Sequence, residues 1–355
     1  MRTVEICRIT IAASALTLMS AGCAKTDVPG RQDVRQVLFM PAPVRGESTR
    51  AVNVSAYPAT STFGTYAYML PSGKTWDADR DEAEPYIFGA DNKGVEISKV
   101  NDVWKNADRA YYWPAAASLT FFSYSPYGLD GVSCSREKGI RIENFSIDGN
   151  AAGTVGYRSD VCDLLVSNLS KDLNLGGTPK PGGDGAVPVV FRHILSKVKV
   201  VAFLNGEPDA GKTVTINSVS ISNIYGLGTY DDGQWSGLSG EKAYSSSPDR
   251  TLEWKDGKPV DAEVFPEMYM IPQVTTKGNR AEAPEISVTV TKSGEAQFVR
   301  KFPLYADASS LAAWEQGKAV VYHISVSVKD EYIEFDGSLE DWRDSGNNDI
   351  NIGVI

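Results

Sequence analysis

The cysteine with the most specific chemical surroundings is Cys23. It follows the small residues 20–22 (SAG) and an apolar stretch at residues 9–19. That stretch is shorter than the roughly 20 residues that span a bilayer. With the basic residues before it, it is typical of a secretory signal peptide. A cysteine in this place is typical of a bacterial lipobox, whose thiol receives diacylglycerol. We predict a lipoprotein signal peptide over residues 1–22 and lipidation at Cys23, with ordinary secretion as the alternative.

The other cysteines have less informative surroundings. Cys7 is removed with the signal peptide, which leaves Cys134 and Cys162. An oxidising compartment permits a disulfide between these two residues. The required geometry cannot be read from the sequence, so the bridge stays open.

Residues 206–213 (GEPDAGKT) match the phosphate-binding pattern G-x-x-x-x-G-K-[ST]. That site needs a helix to begin at its end, so that backbone N–H groups converge on the anion. Here residues 214–219 (VTINSV) alternate and are rich in β-branched side chains, which predicts a strand. We interpret the motif as a hairpin loop and predict neither nucleotide binding nor a cofactor.

Other catalytic and metal-binding patterns are weak. Asp77, Asp79 and Asp81 alternate like calcium ligands, but the glycine and glutamate that an EF-hand loop needs are missing. We predict no metal site and interpret this segment as a solvated acidic loop, with loose surface binding of a cation as the alternative. The two histidines, His193 and His323, lie in strand-like runs without metal-ligand spacing. We predict no catalytic residue and no enzyme.

Aromatic residues are dense at residues 110–114 (AYYWP) and 119–127 (LTFFSYSPY). Such residues pack sandwich cores more often than they bind sugars, so we favour a core role. The alternative is a monomeric surface lipoprotein that binds glycans through Trp113. A third hypothesis is an extracytoplasmic glycosidase, because the 45 acidic residues offer many carboxylate pairs. The net charge of −10 argues against a nucleic-acid partner.

The elements that must carry these residues are mostly strands. Alternating apolar and polar residues predict five of them, and the 32 glycines and 18 prolines punctuate the chain with turns. A single helix of about two turns is expected at residues 309–315 (SSLAAWE). Many short strands between turns indicate an all-β protein built from β-sandwiches. The predicted strands are residues 63–70, 119–124, 214–224, 286–290 and 320–328.

A length of 355 residues suggests two domains. Residues 176–185 (GGTPKPGGDG) are too rich in glycine and proline to order themselves, and they mark the best boundary. The β-like residues 187–203 would then open the second domain. The alternative is a long loop inside one domain.

Several segments resemble one known family. They are residues 112–114 with 119–127, residues 190–200 (VFRHILSKVKV), residues 314–328 and residues 333–342. As a set, these segments are similar to the Bacteroidales fimbrillin family, type V pilin subunits made as lipoprotein precursors. The resemblance implies two tandem transthyretin-like Greek-key β-sandwich domains. The corresponding ranges are a propeptide at 23–50, a first domain at 51–183 and a second domain at 184–355.

The resemblance also implies how the precursor matures. In the family, a protease cuts after an arginine and removes the first strand, and a strand of another subunit fills the groove. The expected cut lies between Arg50 and Ala51, with Arg45 and Gly46 as second choice. Residues 34–40 (VRQVLFM) are the candidate plug strand.

The chain end supplies the candidate donor strand, with Ile350, Ile352 and Val354 on one face and residues 331–335 as a second candidate. Implied partners are other pilin subunits, an arginine-specific protease and the membrane, through lipid on Cys23. The implied location is the outer membrane and the fimbria at the cell surface, with a role in adhesion. Shaft, tip and anchor roles stay open.

Overall fold

The computed structural model describes residues 35–42, 57–147, 163–176, 180–182, 185–275, 283–304 and 311–341. Several predicted sites lie outside these residues, namely Cys23, Arg45, Gly46, Arg50, Ala51, Cys162, Ile350, Ile352 and Val354. The regular secondary structure of the described residues is nearly all strand, so the all-β prediction is confirmed. Its one α-helix is α1, Trp76–Asp79, followed by a 3₁₀ turn at Arg80–Glu82. None of the helices in these ranges has the length and apolarity needed to cross a membrane.

The five predicted strands all form. Residues 63–70 and 119–124 are buried on both faces, whereas alternating side chains place one apolar face of residues 214–224 and 286–290 against the core. In Val214–Asp231, buried positions alternate with more exposed ones along most of the strand. This strand continues seven residues beyond the predicted end at 224, since Leu227, Thr229 and Asp231 still pair with a neighbouring strand.

The first sheet of the described residues has nine strands, which pair in the order β10-β6-β9-β11-β1-β5-β4-β2-β3. An additional pairing of β6 with β2 closes the circuit β6-β9-β11-β1-β5-β4-β2. The strands are β1 Leu38–Ala42, β2 Phe63–Pro71, β3 Glu84–Ile87, β4 Val95–Val100, β5 Val103–Lys105, β6 Ala117–Ser125, β9 Leu165–Ser167, β10 Ser170–Leu173 and β11 Ala186–His193.

Two further large sheets are built mainly from the later residues. A seven-stranded sheet contains the path β21-β20-β13-β8-β7, with β14 and β15 also paired to β13. Its strands are β7 Val132–Ser135, β8 Gly139–Ser146, β13 Val214–Asp231, β14 Gln234–Ser246, β15 Arg250–Thr251, β20 Glu285–Lys292 and β21 Phe298–Pro303. A four-stranded sheet has the order β18-β12-β23-β24, from β12 Ser196–Asn205, β18 Ala262–Met270, β23 Lys318–Ser327 and β24 Ile333–Asp341.

Two short ribbons complete the described strands. One pairs β16, Glu253–Lys255, with β17, Lys258–Val260. The other pairs β19, Gln273–Val274, with β22, Ala313–Trp314.

Two local predictions need correction. The β-like run at 187–203 is not one strand, because it divides after His193 into β11 and β12, which belong to different sheets. Residues 311–315 are not helical. There Trp314 is buried in strand β22, pairs with Gln273 and donates its indole N–H to Tyr322 at 2.9 Å.

The strands on both sides of the predicted domain boundary, β10 and β11, belong to the first sheet. The larger of two buried apolar clusters contains residues from both halves of the chain, such as Tyr66 and Ile324. The division into two tandem transthyretin-like domains at residue 184 therefore stays a prediction.

Candidate assembly site at the strand Leu38–Ala42

Strand β1 is an inner strand of the first sheet, although it is the earliest described element of the chain. Leu38–Ala42 pairs in parallel with residues 186–190 of β11. On its other side, Phe39 pairs antiparallel with Trp104 of β5. An inner strand has neighbours on both edges, so β1 completes the sheet at this point.

The residues just before β1 extend this pairing. The Val37 N–H donates to the Tyr111 carbonyl at 2.7 Å, and the Trp113 N–H donates to the Arg35 carbonyl at 2.9 Å. Gln36 forms a β-bridge with Tyr112 between these two bonds. Residues 35–42 are thus held by backbone hydrogen bonds along their whole length.

The buried face of this segment supplies part of the second apolar cluster. Val37 is 2% exposed and Phe39 is 5% exposed. The Phe39 ring lies edge-on to Phe63 at 5.9 Å and to Phe121 at 5.8 Å between centroids. Burying an aliphatic or aromatic side chain contributes about 1.5–3 kcal/mol, so these two residues bind the segment firmly.

The groove around β1 is lined by residues that follow the expected cleavage positions. Val187, Val189 and Phe191 of β11 are all buried beside it. Tyr57 stacks on Phe191 at 5.1 Å, and its hydroxyl lies 2.8 Å from the Ser125 hydroxyl. Burial raises the pKa of the Tyr57 phenol, so the phenol stays neutral over the physiological range.

Removal of β1 would have two physical consequences. The facing edges of β11 and β5 would lose their hydrogen-bond partners, which makes a template for another strand. The apolar ring faces of Phe63 and Phe121 would also lose their cover, and exposed apolar patches of this kind mark interaction sites. The groove can therefore accept an extended segment with apolar residues at alternate positions. The predicted plug at 34–40 overlaps this segment, and its removal stays a prediction.

The phosphate-loop pattern has no helix behind it. The backbone of residues 206–213 bends and turns between β12 and β13, with the Lys212 N–H bonded to the Asp209 carbonyl at 2.9 Å. The predicted strand after the motif is confirmed. The predicted hairpin is wrong, because β12 and β13 lie in different sheets.

The acidic segment is solvated as predicted, with Asp77 and Asp81 exposed, but it forms a short helix and turn rather than a loop. Asp77 Oδ2 forms an ion pair with Lys171 Nζ at 2.6 Å, and Asp79 Oδ1 lies 3.7 Å from Lys74 Nζ. Over the ranges that the structure describes, no three His, Cys, Asp or Glu side chains converge as metal ligands.

The histidines have different surroundings. His193 is buried, and its Nδ1 lies 2.5 Å from Asp163 Oδ2, which is also buried. His323 stands opposite Asp336 on β24. This buried pair could not be read from the sequence, because its members are 30 residues apart and only the pairing of β9 with β11 brings their segments together. Buried polar groups generally need a hydrogen-bond partner, and His193 and Asp163 supply one another with it.

Trp113 does not form an exposed platform. It is 6% exposed and lies edge-on to Phe121, with ring centroids 5.9 Å apart. The favoured core interpretation is confirmed for this residue, and the alternative of a glycan platform at Trp113 does not fit its burial. The neighbouring Tyr112 is 44% exposed.

Cys134 carries a free thiol in the described structure and is buried. Its sulfur lies 3.8 Å from the Ser135 carbonyl oxygen. Burial raises the pKa of this thiol well above its usual range.

Comparisons with known proteins agree with this architecture. Residues 49–342 match the family described as fimbrillin-like. A fimbrial protein from Bacteroides vulgatus has a similar structure, with 15% identity and a TM-score of 0.55 over 87% of this chain and 100% of that one. A candidate cell adhesion protein from Bacteroides ovatus is similar with 15% identity and a TM-score of 0.50, over 87% and 98% of the two chains.

Both structural similarities concern the fold alone. The comparison with curated proteins gave no match. The family match spans well over half of the chain and includes both halves of the described structure. The chain therefore belongs to the fimbrillin-like family.

Proposed function

We propose that this chain is a structural subunit of a cell-surface fimbria that polymerises by exchange of β1 for a strand of another subunit. The observation that carries the proposal is the position of β1. It is hydrogen-bonded on both edges and has Phe39 in the core, yet it precedes the residues at which cleavage is expected. The family match begins at residue 49, so β1 also precedes the matched residues.

Cleavage after Arg50 would leave β1 attached only by non-covalent contacts. Residues 43–56 join β1 to the body of the protein, and both Arg45 and Arg50 fall within them. Once the chain is cut, a competing strand can replace β1 without breaking any further covalent bond. The replaced strand leaves an edge and an apolar strip, which polymerisation covers again.

The proposed donor has a matching pattern. Val37 and Phe39 occupy alternate positions and point into the core. Ile350, Ile352 and Val354 also alternate, so one face of an extended segment would present all three. Alternate side chains in pockets and main-chain hydrogen bonds are the two sources of affinity in strand addition.

Lipid on Cys23 would hold the precursor at the outer membrane before assembly. A chain with acyl groups gains about 0.8 kcal/mol for each buried methylene, which gives firm anchoring when several chains are attached. Processing by an arginine-specific protease would separate the subunit body from this anchor. In this proposal the protein is not an enzyme, and it supports adhesion as part of the fibre.

The double variant Arg45→Ala/Arg50→Ala tests the proposal in cells. It should give an anchored, folded monomer, with no fibres in micrographs and no SDS-resistant ladder. Arg250→Ala is the control, because Arg250 is an exposed arginine on the body of the protein. Normal fibres from the double variant would refute strand exchange after arginine cleavage.

A further inference from the structure

A second surface feature involves β11 beyond the residues that pair with β1. A cavity of about 270 Å³ opens where β9 and β11 approach the β7–β8 turn and the β13–β14 turn. We call it the Arg192 cavity. Its charged lining residues in the described part of the chain are Arg192 and Lys138, and no carboxylate lines it. A purely cationic lining is unusual on a chain whose net charge is −10.

Arg192 is fixed at one side of the cavity by a rigid neighbour. Its Nη2 donates to the Tyr230 hydroxyl at 3.4 Å. Tyr230 is 1% exposed and packs against Trp235, with centroids 5.6 Å apart. Among the residues whose placement is known, Arg192 forms no ion pair with a carboxylate, so its other N–H donors remain available for a ligand.

Lys138 stands on the β7–β8 turn, across the cavity from β11. Its Nζ lies 3.0 Å from Asp231 Oδ2, and Arg141 Nη1 lies 3.2 Å from the same oxygen. Arg141 also pairs with Glu143, so Lys138 and Arg141 are balanced by two carboxylates, and Arg192 is the lining cation without an ion pair in the described residues. The Lys138 side chain is about half exposed and can still turn toward an anion held at Arg192. Asp232 is exposed on the neighbouring turn and does not line the cavity.

The remaining lining combines polar and apolar groups. Ser167 and Asn168 follow one another at the end of β9, and Asn168 is exposed. Phe122 and Leu169 add apolar surface, and Leu169 is 38% exposed. Hydroxyl and amide groups beside an apolar wall suit a small ligand that has both hydroxyls and a ring face.

We propose that the Arg192 cavity binds an anionic sugar unit, with the anion at Arg192 and Lys138 and the sugar hydroxyls near Ser167 and Asn168. A guanidinium forms paired, charge-assisted hydrogen bonds with carboxylate or sulfate oxygens. The volume fits a single sugar ring, whereas an acidic peptide would need an extended groove. The site does not depend on strand exchange, because the unassembled subunit already contains every residue involved.

The test measures binding of the purified full chain to sialyllactose, sulfated lactose and lactose. We expect the sialylated or the sulfated sugar to bind while neutral lactose does not, and the preferred probe identifies the anion. Arg192→Ala should weaken binding by roughly tenfold or more, as expected when a charged hydrogen-bond donor is lost. Arg192→Lys should retain part of the affinity because it keeps the charge.

Arg250→Ala is the matched control and should bind like the unaltered chain. Lys138→Ala provides a second variant on another element, in case Arg192→Ala fails to fold as judged by circular dichroism. The proposal is overturned if neither anionic sugar binds or if lactose binds equally well. It is also overturned if folded Arg192 and Lys138 variants keep full affinity, or if an oligoglutamate peptide binds more tightly than the sugars.

Discussion

At Gly64, strand β2 passes so close to the Tyr124 ring that no side chain has room. A Cβ atom at this position would lie 2.2 Å from Cε1 and 2.8 Å from the hydroxyl oxygen of Tyr124. The ring cannot easily move, because it is buried and its hydroxyl donates to the Lys93 carbonyl at 2.8 Å. The close approach follows from the pairing of Gly64 with Tyr124 across β2 and β6.

We therefore expect Gly64→Ala to lower the free energy of unfolding by about 1–3 kcal/mol, the usual cost of overpacking a core. Urea unfolding followed by tryptophan fluorescence measures the change. Gly176→Ala is the control, since a Cβ at Gly176 would meet no atom within 4 Å. Equal stability of the two variants would show that the Tyr124 ring adapts freely.

A second residue-scale prediction concerns Cys134. Burial raises the pKa of its thiol, so the reactive thiolate is scarce at pH values near 8 as well as at neutral pH. Iodoacetamide at about pH 8 should leave the Cys134 peptide unmodified in the folded chain and should alkylate it in concentrated urea. Peptide mass spectrometry distinguishes the two states. Rapid alkylation of the native chain would contradict the described burial.

Single residues were predictable from the sequence only where the chemistry is local. The strand after the phosphate-loop pattern could be predicted from residues 214–219 alone, because alternation is a local property. Two other features could not be predicted in this way, because each depends on strand register between distant segments. They are the contact of Gly64 with Tyr124 and the hydrogen bond between His193 and Asp163. Register is set by the whole sheet.

At the scale of elements, β1 is the strand on which the proposed function depends. Its two sides differ sharply, since Phe39 is 5% exposed and the adjacent Met40 is 45% exposed. Substitution of Phe39 tests burial in the groove, and substitution of the adjacent Met40 shows how much any change in this segment affects stability.

Phe39→Ala should lower the unfolding free energy of the uncut precursor by about 3–5 kcal/mol, because it removes a buried aromatic ring and leaves a cavity. Met40→Ala should have a much smaller effect, because nearly half of that side chain is exposed. Urea titration of both precursors measures the difference. Similar losses for the two variants would mean that β1 does not occupy the groove as described.

The sequence pattern located the main strands but not their assignment to sheets. Residues 187–203 are mostly apolar, and the polar residues among them, at 192–193, 196–197 and 199, did not by themselves mark the break between β11 and β12. Residues 309–315 have helix-forming composition, yet at 311–315 the burial of Trp314 and its pairing with Gln273 override that preference. Tertiary packing commonly overrides weak helix propensity in this way.

At the scale of the whole molecule, the fold and the proposed maturation fit together. The first described strand lies inside a sheet whose other strands come from residues 63–193. It therefore comes from earlier in the sequence than all the other strands of its sheet. In the proposed function, such a precursor would stay closed until its N-terminal segment leaves, and only processed subunits would polymerise.

If subunits assemble by strand exchange after arginine cleavage, the subunit in the fibre has lost β1. The N-terminal sequence of the chain recovered from cell-surface fibres shows whether this is so. We expect this sequence to begin at Ala51, or at Gly46 if the second site is used, so that Val37 and Phe39 are absent from the fibre subunit. A fibre subunit that retains residues 24–50 would rule out strand exchange by loss of β1.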